Sequence, residues 1–107
     1  MQIQLRWIDP ATGEQREPLF ETPVAIGREF ARMPPEIDGR QVSRVVVADE
    51  LMADYHALID WRDPDLIVVD QNSSNGTKIN GVQLPSSTLF DGDRLQIGSC
   101  EIQVNLR

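Results

Sequence analysis

Cysteine is almost absent from this sequence of 107 residues, since Cys100 is the only one. An internal disulfide is therefore excluded, which favours a reducing compartment. The first residues, MQIQLRWID, have neither the basic flank nor the apolar run of a signal peptide. No stretch approaches the roughly 20 apolar residues that cross a bilayer. We expect a soluble, cytoplasmic chain without direct membrane insertion.

Positive charge is also scarce. Ten Lys and Arg residues stand against 17 Asp and Glu residues, which gives a formal net charge of -7. Such a chain repels the phosphates of nucleic acids and of anionic membranes, so the sequence argues against a nucleic-acid partner. A local cluster of arginines can still hold one phosphate group, because salt screens distant charges within roughly 8 Å.

Signs of catalysis and of metal binding are few. His56 is the only histidine, so a histidine-based site lacks its second member. Asp63 and Asp65 flank a proline, and Asp91 and Asp93 flank a glycine, so turn formation explains both pairs better than cation binding does. No nucleophile, Walker-type or dinucleotide motif is present. We expect a domain that is not an enzyme and that needs no metal and no cofactor.

Short strands dominate what the sequence does contain. Ile3, Leu5 and Trp7 share one face of a first strand because they alternate with polar residues. Further strands are predicted over residues 17–20, 24–27, 45–47, 55–61, 66–69, 78–79, 82–84, 95–97 and 100–106. No segment of ten or more residues has a helical repeat. The sequence therefore predicts one all-β domain over residues 1–107, a two-sheet sandwich of about ten or eleven short strands.

Two connections differ sharply in their signals. The three residues Asp63-Pro64-Asp65 separate two apolar runs, which predicts a hairpin. The stretch from Glu29 to Ser43 contains adjacent prolines and the Gly39-Arg40 pair, with no sustained periodicity. We expect this stretch to form an extended surface loop with at most a short helical turn.

Five short motifs occur in an order that is typical of one family. They are Gly27-Arg28, Ala53-Asp54-Tyr55-His56, the polar run Asp70 to Thr77, Asn80-Gly81 and Gly92-Asp93. Together they resemble the forkhead-associated (FHA) family, whose signature is Gly-Arg, Ser-x-x-His, Asp-x-x-Ser-x-Asn-Gly-Thr, an Asn-Gly turn and a late Gly-Asp. Each motif alone is weak, but five in sequence are specific. The resemblance covers nearly the whole chain, apart from the longer loop after Gly27-Arg28.

The resemblance implies a sandwich of the FHA/SMAD type whose loops at one end bind a phosphothreonine-containing segment of a protein partner. It places Arg28 on the phosphate and Asn75 on the backbone of the bound peptide, roles that suit a guanidinium and an amide. It places Ser74 where the family often supplies a further contact. The residues implied as scaffold for these loops are Gly27, His56, Gly76 and Thr77.

Two positions depart from the family pattern. The serine expected three positions before the histidine is Ala53, and the next position carries Asp54 instead of a basic or amide side chain. A missing hydrogen bond to a charged group costs about 1.5 to 3 kcal/mol, and repulsion from Asp54 adds on the order of 1 kcal/mol. Phosphate affinity is therefore expected to fall by roughly a hundredfold to a thousandfold. Four side chains of the atypical loop are candidates to supply the lost donor: Arg32, Arg40, Ser43 and Arg44.

Two functions remain open from the sequence. One is a phosphopeptide-binding module with weakened or altered phosphate recognition, which the three predicted contact residues favour. The other is a phosphorylation-independent interaction or oligomerisation domain, which Ala53 and Asp54 favour. A small metal-dependent enzyme is a distant third, because the histidine is single. Met1 stands directly before the first strand, which favours an N-terminal position, and domains of this family commonly lie within longer chains.

Overall fold

Fourteen short strands and one 3₁₀ turn make up the fold in a computed structural model that describes all 107 residues. The strands are β1 (Gln2–Ile8), β2 (Gln15–Arg16), β3 (Leu19–Glu21), β4 (Val24–Gly27), β5 (Glu36–Ile37), β6 (Arg40–Gln41), β7 (Ser43–Val46), β8 (Ala57–Arg62), β9 (Asp65–Asp70), β10 (Thr77–Ile79), β11 (Val82–Gln83), β12 (Ser86–Leu89), β13 (Arg94–Ile97) and β14 (Cys100–Leu106). The 3₁₀ turn is Phe30–Arg32. No helix is long and apolar enough to span a membrane. The all-β prediction is confirmed.

Twelve of the strands form two sheets that pack face to face. One sheet has the order β11-β10-β13-β14-β1-β2, with β3 also paired to β1, and the other has the order β12-β9-β8-β4-β7. In the first sheet β1 and β14 lie antiparallel, with Ile3 opposite Leu106 and Leu5 opposite Val104. The predicted two-sheet sandwich is confirmed.

The core between the sheets is built from alternate, inward-facing positions. Leu5 of β1 and Ile102 of β14 come from one sheet, and Ile26 of β4 and Ile59 of β8 come from the other; all four are fully buried. They belong to one cluster of 19 buried residues that joins the two sheets. Because burying each large aliphatic side chain contributes about 1.5 to 3 kcal/mol, this cluster is the main source of stability.

Most strands lie where the sequence predicts them, with small shifts at their ends. The hairpin of β8 and β9 is confirmed, and its turn is shorter than expected because Asp65 already pairs with Arg62. Strand β12 was not predicted, since Ser86, Ser87 and Thr88 give no apolar alternation. Fourteen strands exceed the expected ten or eleven partly because β2, β5 and β6 have only two residues each.

The segment between β4 and β7 is not an extended surface loop, and that prediction is wrong. It contains the 3₁₀ turn and a hairpin of β5 and β6. Met33 and Val42 from this segment are buried with Ala25 and Leu58 in a second apolar cluster. Since Ala25 alternates with inward-facing neighbours, this cluster covers the outer face of the five-stranded sheet. Met33 and Val42 have no regular spacing and therefore give no strand signal. This explains why the sequence does not predict the packed hairpin.

An ion pair between an exposed arginine and a buried carboxylate fastens this hairpin to the sheet. Both terminal nitrogens of Arg40 donate to the two carboxylate oxygens of Asp60 at 2.9 Å, and Asp60 is only 1% exposed. The hydrogen bond from Arg40 lowers the pKa of Asp60 despite the opposing effect of burial. The same pair raises the pKa of Arg40. A buried carboxylate requires a positively charged partner. Arg40 therefore holds the β5–β6 hairpin against β8, the strand that carries Asp60.

Three chain segments meet at one end of the five-stranded sheet. Gly27 at the end of β4 lies opposite Val46, since β4 and β7 run parallel. Ala57 at the start of β8 pairs with Ile26 and with Asp70 at the end of β9. The segments that follow β4, follow β7 and follow β9 therefore emerge side by side, and they form the candidate site.

Candidate functional site

Arg28 follows directly on β4 and lies at the rim of a surface depression. Its backbone N–H donates to the carbonyl of Ala53 at 3.0 Å. Its guanidinium donates to the carbonyl of Glu50 at 3.4 Å and to the carboxylate of Asp54 at 3.3 Å. The depression has a volume of about 220 Å³ and is lined by Arg28, Glu50, Leu51, Met52, Ala53, Ser74 and Asn75.

Gly27 permits the close approach of the two chain segments at Arg28. A Cβ atom at this position would overlap the backbone carbonyl oxygen of Asp54 and lie 2.8 Å from its carbonyl carbon. Backbone atoms cannot turn aside as a flexible side chain can. Glycine is therefore the residue that lets the segment after β7 pack against the end of β4.

His56 joins two loops through its ring nitrogens. It is fully buried, and its Nδ1 accepts the backbone N–H of Ala53 at 2.9 Å. The proton of the neutral ring therefore resides on Nε2, which donates to the carbonyl of Gly76 at 2.8 Å. One side chain thus couples the loop that carries Ala53 to the loop that carries Ser74 and Asn75.

The loop from Asp70 to Thr77 closes on itself through one carboxylate. Asp70 accepts hydrogen bonds from the hydroxyl groups of Ser73 at 2.6 Å and Thr77 at 2.7 Å. Ser73 in turn accepts the backbone N–H of Gly76 at 3.0 Å. Burial disfavours ionisation of Asp70, but these hydrogen bonds outweigh it and keep its pKa below the usual value. The network leaves Ser74 exposed at the tip of the loop.

Asn75 connects this tip to the opposite side of the depression. Its Nδ2 donates to the carbonyl of Leu51 at 2.9 Å. Its Oδ1 accepts no hydrogen bond within the chain and remains available. Arg28, Ser74 and Asn75, the three contact residues proposed from the sequence, thus line the same depression.

Asp49 links the segment that carries Leu51 to Ser99 through hydrogen bonds. This residue is buried, and its carboxylate accepts the N–H of Leu51 at 2.9 Å and both the N–H and the hydroxyl of Ser99, at 2.9 and 2.6 Å. Burial alone would raise its pKa, yet the hydrogen bonds from Ser99 and Leu51 lower it. Gly98 precedes Ser99 at φ +62°, and a Cβ there would lie 2.9 Å from the backbone nitrogen of Met52.

The family of the chain follows from a comparison with known domains. A model of the FHA domain matches residues 24–98. The chain belongs to the FHA family. The strands before residue 24 and β14 lie outside the matched region but complete the seven-stranded sheet.

Solved FHA structures have the same fold over almost the whole chain. One, described as a structural and functional analysis of phosphothreonine-dependent FHA domain interactions, has a TM-score of 0.71 and 25% identity, covering 100% of this chain and 98% of that chain. The FhaA FHA domain complexed with the intracellular domain of Rv3910 has a TM-score of 0.69 and 27% identity, covering 96% and 99%. The FHA domain of the CT664 protein from Chlamydia trachomatis shares the fold at 17% identity, with a TM-score of 0.77 and coverage of 100% and 99%. A comparison with curated proteins gives no match.

This FHA domain has no hydroxyl group at the position of the family serine. Ala53 lines the depression, and both its N–H and its carbonyl are already engaged, with His56 and Arg28 respectively. Asp54 does more than add negative charge near the site, because its carboxylate pairs with the guanidinium of Arg28. The cation that the family resemblance places on the phosphate therefore already has an anionic partner.

The auxiliary residues of the atypical loop do not gather at Arg28. Arg40 is held by Asp60, and the Ser43 hydroxyl donates to the carbonyl of Glu21 at 2.9 Å. Ser43 pairs with Val24 at the start of β4, so it lies at the far end of that strand from the depression.

The two other arginines of that loop also lie outside the depression. Arg44 stacks on the ring of Phe30, with 3.6 Å between its guanidinium carbon and the ring centroid. Arg32 is in the last turn of the 3₁₀ segment. The structure therefore shows no donor from this loop in the place of the missing serine.

Two residues that support the candidate site were not singled out in the sequence. Asp49 follows a strand and resembles an ordinary turn residue, and its partner Ser99 is 50 positions away. Ser73, which closes the loop after β9, stands beside the residue chosen from the family motif. The Asp-x-x-Ser spacing of an Asx-type turn is the signal that identifies it.

Proposed function

We propose that this FHA domain binds a phosphothreonine-containing segment of a protein partner, with phosphate affinity below that of a site with the family serine. The observation that carries the proposal is the convergence of Arg28, Ser74 and Asn75 on one depression at the loop end of the sandwich. Similar FHA domains support it, since one is described by phosphothreonine-dependent interactions and another is complexed with a protein domain.

Each of the three side chains has a distinct task in this proposal. The guanidinium of Arg28 supplies parallel N–H donors that match two phosphate oxygens. The exposed hydroxyl of Ser74 donates to a third oxygen. The free Oδ1 of Asn75 accepts a backbone N–H of the extended peptide, while its Nδ2 stays bound to Leu51. Such an arrangement binds its ligand and does not transform it, so we propose an interaction module and not an enzyme.

The expected weakness has two physical sources. Ala53 offers no hydroxyl, and a missing hydrogen bond to a charged group costs about 1.5 to 3 kcal/mol. A phosphate must also displace Asp54 from Arg28 or lie beside its carboxylate, and a half-exposed ion pair of this kind contributes about 0.2 to 1 kcal/mol. Together these effects lower affinity by roughly twentyfold to a thousandfold.

The same two residues support a second candidate function. If the Arg28–Asp54 pair is a permanent part of the loop structure, the loop end binds a partner that carries no phosphate. In that case the domain is a phosphorylation-independent interaction or oligomerisation module built on the FHA scaffold.

Calorimetric titration with a degenerate phosphothreonine peptide library separates the two functions, with the unphosphorylated library as the matched ligand. We expect weak, phosphate-dependent binding to the wild type, no detectable binding to Arg28→Ala and stronger binding to Ala53→Ser/Asp54→Asn. Equal binding of both libraries to the wild type would instead establish the phosphorylation-independent function. Tight binding by the wild type would show that Ala53 is compensated from elsewhere.

A further inference from the structure

The outer face of the seven-stranded sheet is uncovered and has no part in the site described above. Its outward positions alternate with buried residues of β1, β13 and β14 such as Leu5, Leu95 and Ile102. Amide and basic side chains occupy most of these positions: Gln2, Gln4, Arg6, Arg94, Gln96, Gln103 and Asn105. Lys78 of β10 shares this face, because it lies directly opposite Gln96. The face is therefore polar and carries three cations.

Two depressions of about 350 Å³ each meet on this face. Arg94 and Glu101 line both of them. The first also reaches Arg6 and Ile8, and the second reaches Asn80 in the turn after β10. The two depressions therefore form one groove that crosses the sheet from β1 to the end of β10. We call it the Arg94 groove.

The Arg94 groove is basic, although the chain as a whole is acidic. Neither Arg94 nor Lys78 takes part in an ion pair, and Arg6 pairs with Glu17 at 3.1 Å. Glu101 is the only carboxylate among the residues that line the groove. Since the net charge is -7, the excess of carboxylates lies on other surfaces of the molecule. Charge complementarity therefore favours an acidic occupant.

An acidic hairpin stands on the opposite face of the sandwich. The β5–β6 hairpin exposes Glu36 and Asp38, while Ile37 packs on the second apolar cluster. Neither carboxylate takes part in an ion pair. Asp38 and Gly39 have φ of +50° and +76° and form a narrow two-residue turn. A Cβ atom at Gly39 would meet nothing within 4 Å, so the tip of the hairpin projects into solvent.

The spacing of the charges on the hairpin matches the spacing in the groove. Glu36 and Asp38 are two residues apart, which separates their Cα atoms by roughly 6 to 7 Å. Lys78 lies opposite Gln96, and Gln96 is two residues from Arg94 on the neighbouring strand. The Cα atoms of Lys78 and Arg94 are therefore roughly 8 Å apart. Two carboxylates on the hairpin of one molecule can thus contact two cations in the groove of another.

We propose that the Arg94 groove binds the β5–β6 hairpin of a second copy of this chain. Because the groove and the hairpin lie on opposite faces, each copy holds one neighbour on either side, and the contact builds open head-to-tail chains. A two-stranded hairpin is too small to fill a standard interface of about 1,600 Å². We therefore expect weak association, with a dissociation constant between about 1 μM and 1 mM. Neither surface includes Arg28, Ser74 or Asn75, so this contact is independent of the proposed phosphopeptide binding.

A dilution series tests whether the contact forms. The weight-average sedimentation coefficient of the wild type should rise between about 10 μM and 1 mM. Over the same range, ¹H–¹⁵N spectra should show shift changes at Lys78, Arg94, Glu36 and Asp38. A constant sedimentation coefficient would overturn the second copy as the occupant and leave the groove to a different acidic protein. Shift changes confined to the loops around Arg28 would show that copies associate through the wrong surface.

Two charge reversals test which surfaces meet. Arg94→Glu makes the groove repel the hairpin of an identical copy, and Glu36→Lys makes the hairpin repel the groove. Each variant alone should self-associate about three- to thirtyfold more weakly than the wild type. An equimolar mixture of the two should regain the wild-type association, since each supplies the surface that the other has lost. Each substitution changes the net charge of -7 by two units, so both variants stay negative and net charge does not attract them.

Arg32→Glu and Asp65→Lys are the matched controls. They make the same two charge changes at exposed positions outside the Arg94 groove and the β5–β6 hairpin. Each control should self-associate as the wild type does, and spectra of every variant show whether it is folded. Equal weakening by Arg94→Glu and Arg32→Glu would overturn the proposal. So would a mixture of Arg94→Glu and Glu36→Lys that associates no more strongly than either variant alone.

Discussion

The guanidinium of Arg28 lies 3.3 Å from the carboxylate of Asp54, so the cation proposed to bind the phosphate is paired within its own domain. In the sequence, Asp54 is simply an unfavourable negative charge near the ligand. In the structure it is also a competitor for one particular side chain, and removing it has a measurable consequence.

We expect Asp54→Asn to raise the affinity for phosphothreonine peptides by about two- to fivefold, the range for an exposed ion pair. Adding Ala53→Ser supplies a hydroxyl donor and should raise affinity by a further tenfold to roughly a hundredfold. Calorimetry at constant ionic strength measures both steps. The matched control is Asp65→Asn, which removes an equal charge at the opposite end of the sandwich. An equal gain from Asp65→Asn would show that net charge alone is responsible.

Replacement of His56 should reduce both stability and binding. His56→Ala removes two hydrogen bonds, leaves a cavity, and frees the Ala53 and Gly76 loops from each other. We expect a loss of about 2 to 4 kcal/mol in the free energy of unfolding, measured by urea denaturation. Gln96→Ala, at an exposed strand position, should cost less than about 0.5 kcal/mol. A small effect at His56 would contradict its proposed scaffold role.

The Arg40–Asp60 pair should be more important to the fold than its exposed position suggests. Arg40→Gln leaves the buried carboxylate of Asp60 with only one positively charged neighbour, Arg62, whose Nε is 3.7 Å away. We expect the folding equilibrium constant to fall about tenfold or more, whereas Arg62→Gln should have a much smaller effect. The double variant Arg40→Met/Asp60→Leu removes both charges together and should recover much of the loss. If Arg40→Gln and Arg62→Gln are equally mild, Asp60 is solvated and the hairpin needs no ion pair.

Acid should destabilise the domain through three carboxyl groups whose pKa values are lowered by folding. Hydrogen bonds and, for Asp60, the charge of Arg40 lower the folded-state pKa values of Asp49, Asp60 and Asp70. The unfolded chain therefore binds protons more readily than the folded one. These groups contribute fully to the free energy of unfolding above their unfolded-state pKa, near 4. Their contribution is lost as the pH falls through the lower folded-state pKa values. Urea titrations at pH 7, 4 and 3 should show that the free energy of unfolding falls more steeply with pH for the wild type than for Asp70→Asn. Equal falls in the two proteins would show that Asp70 is not a source of the acid sensitivity.

The thiol of Cys100 should be unreactive in the folded domain. Burial, with smaller contributions from nearby carboxylates that include Asp49, raises its pKa to about 11. At pH 8 only roughly one thiol in a thousand is then the reactive thiolate. We expect slow modification by a disulfide reagent in buffer and rapid, complete modification in concentrated urea. Fast modification of the folded protein would show that β14 opens readily.

The general fold and the loops that carry the proposed contact residues were accessible from the sequence because their signals are local. Alternating side chains identify strands such as β1, and short motifs identify the loops that carry Arg28 and Asn75. The parallel pairing of β4 with β7 then brings these loops together, which no single motif encodes.

What the sequence did not reveal depends on contacts between distant residues. The pairing of Arg40 with Asp60 and of Asp49 with Ser99 spans 20 and 50 positions. The hairpin of β5 and β6 is likewise stabilised by Val42 packing on the sheet, while its own strands have only two residues each. Neither kind of contact leaves a periodic pattern in the chain.

The burial of β4 on both faces has a consequence for how the domain opens. This strand has neighbours on both edges, the core beneath it and the β5–β6 hairpin above it. Its amides should exchange with deuterated solvent only when the whole domain unfolds, whereas those at the free edge of β7 exchange by local fluctuation. Arg28 is attached to the end of β4. The side chain proposed to bind the phosphate is therefore anchored to the part of the domain that we expect to unfold last.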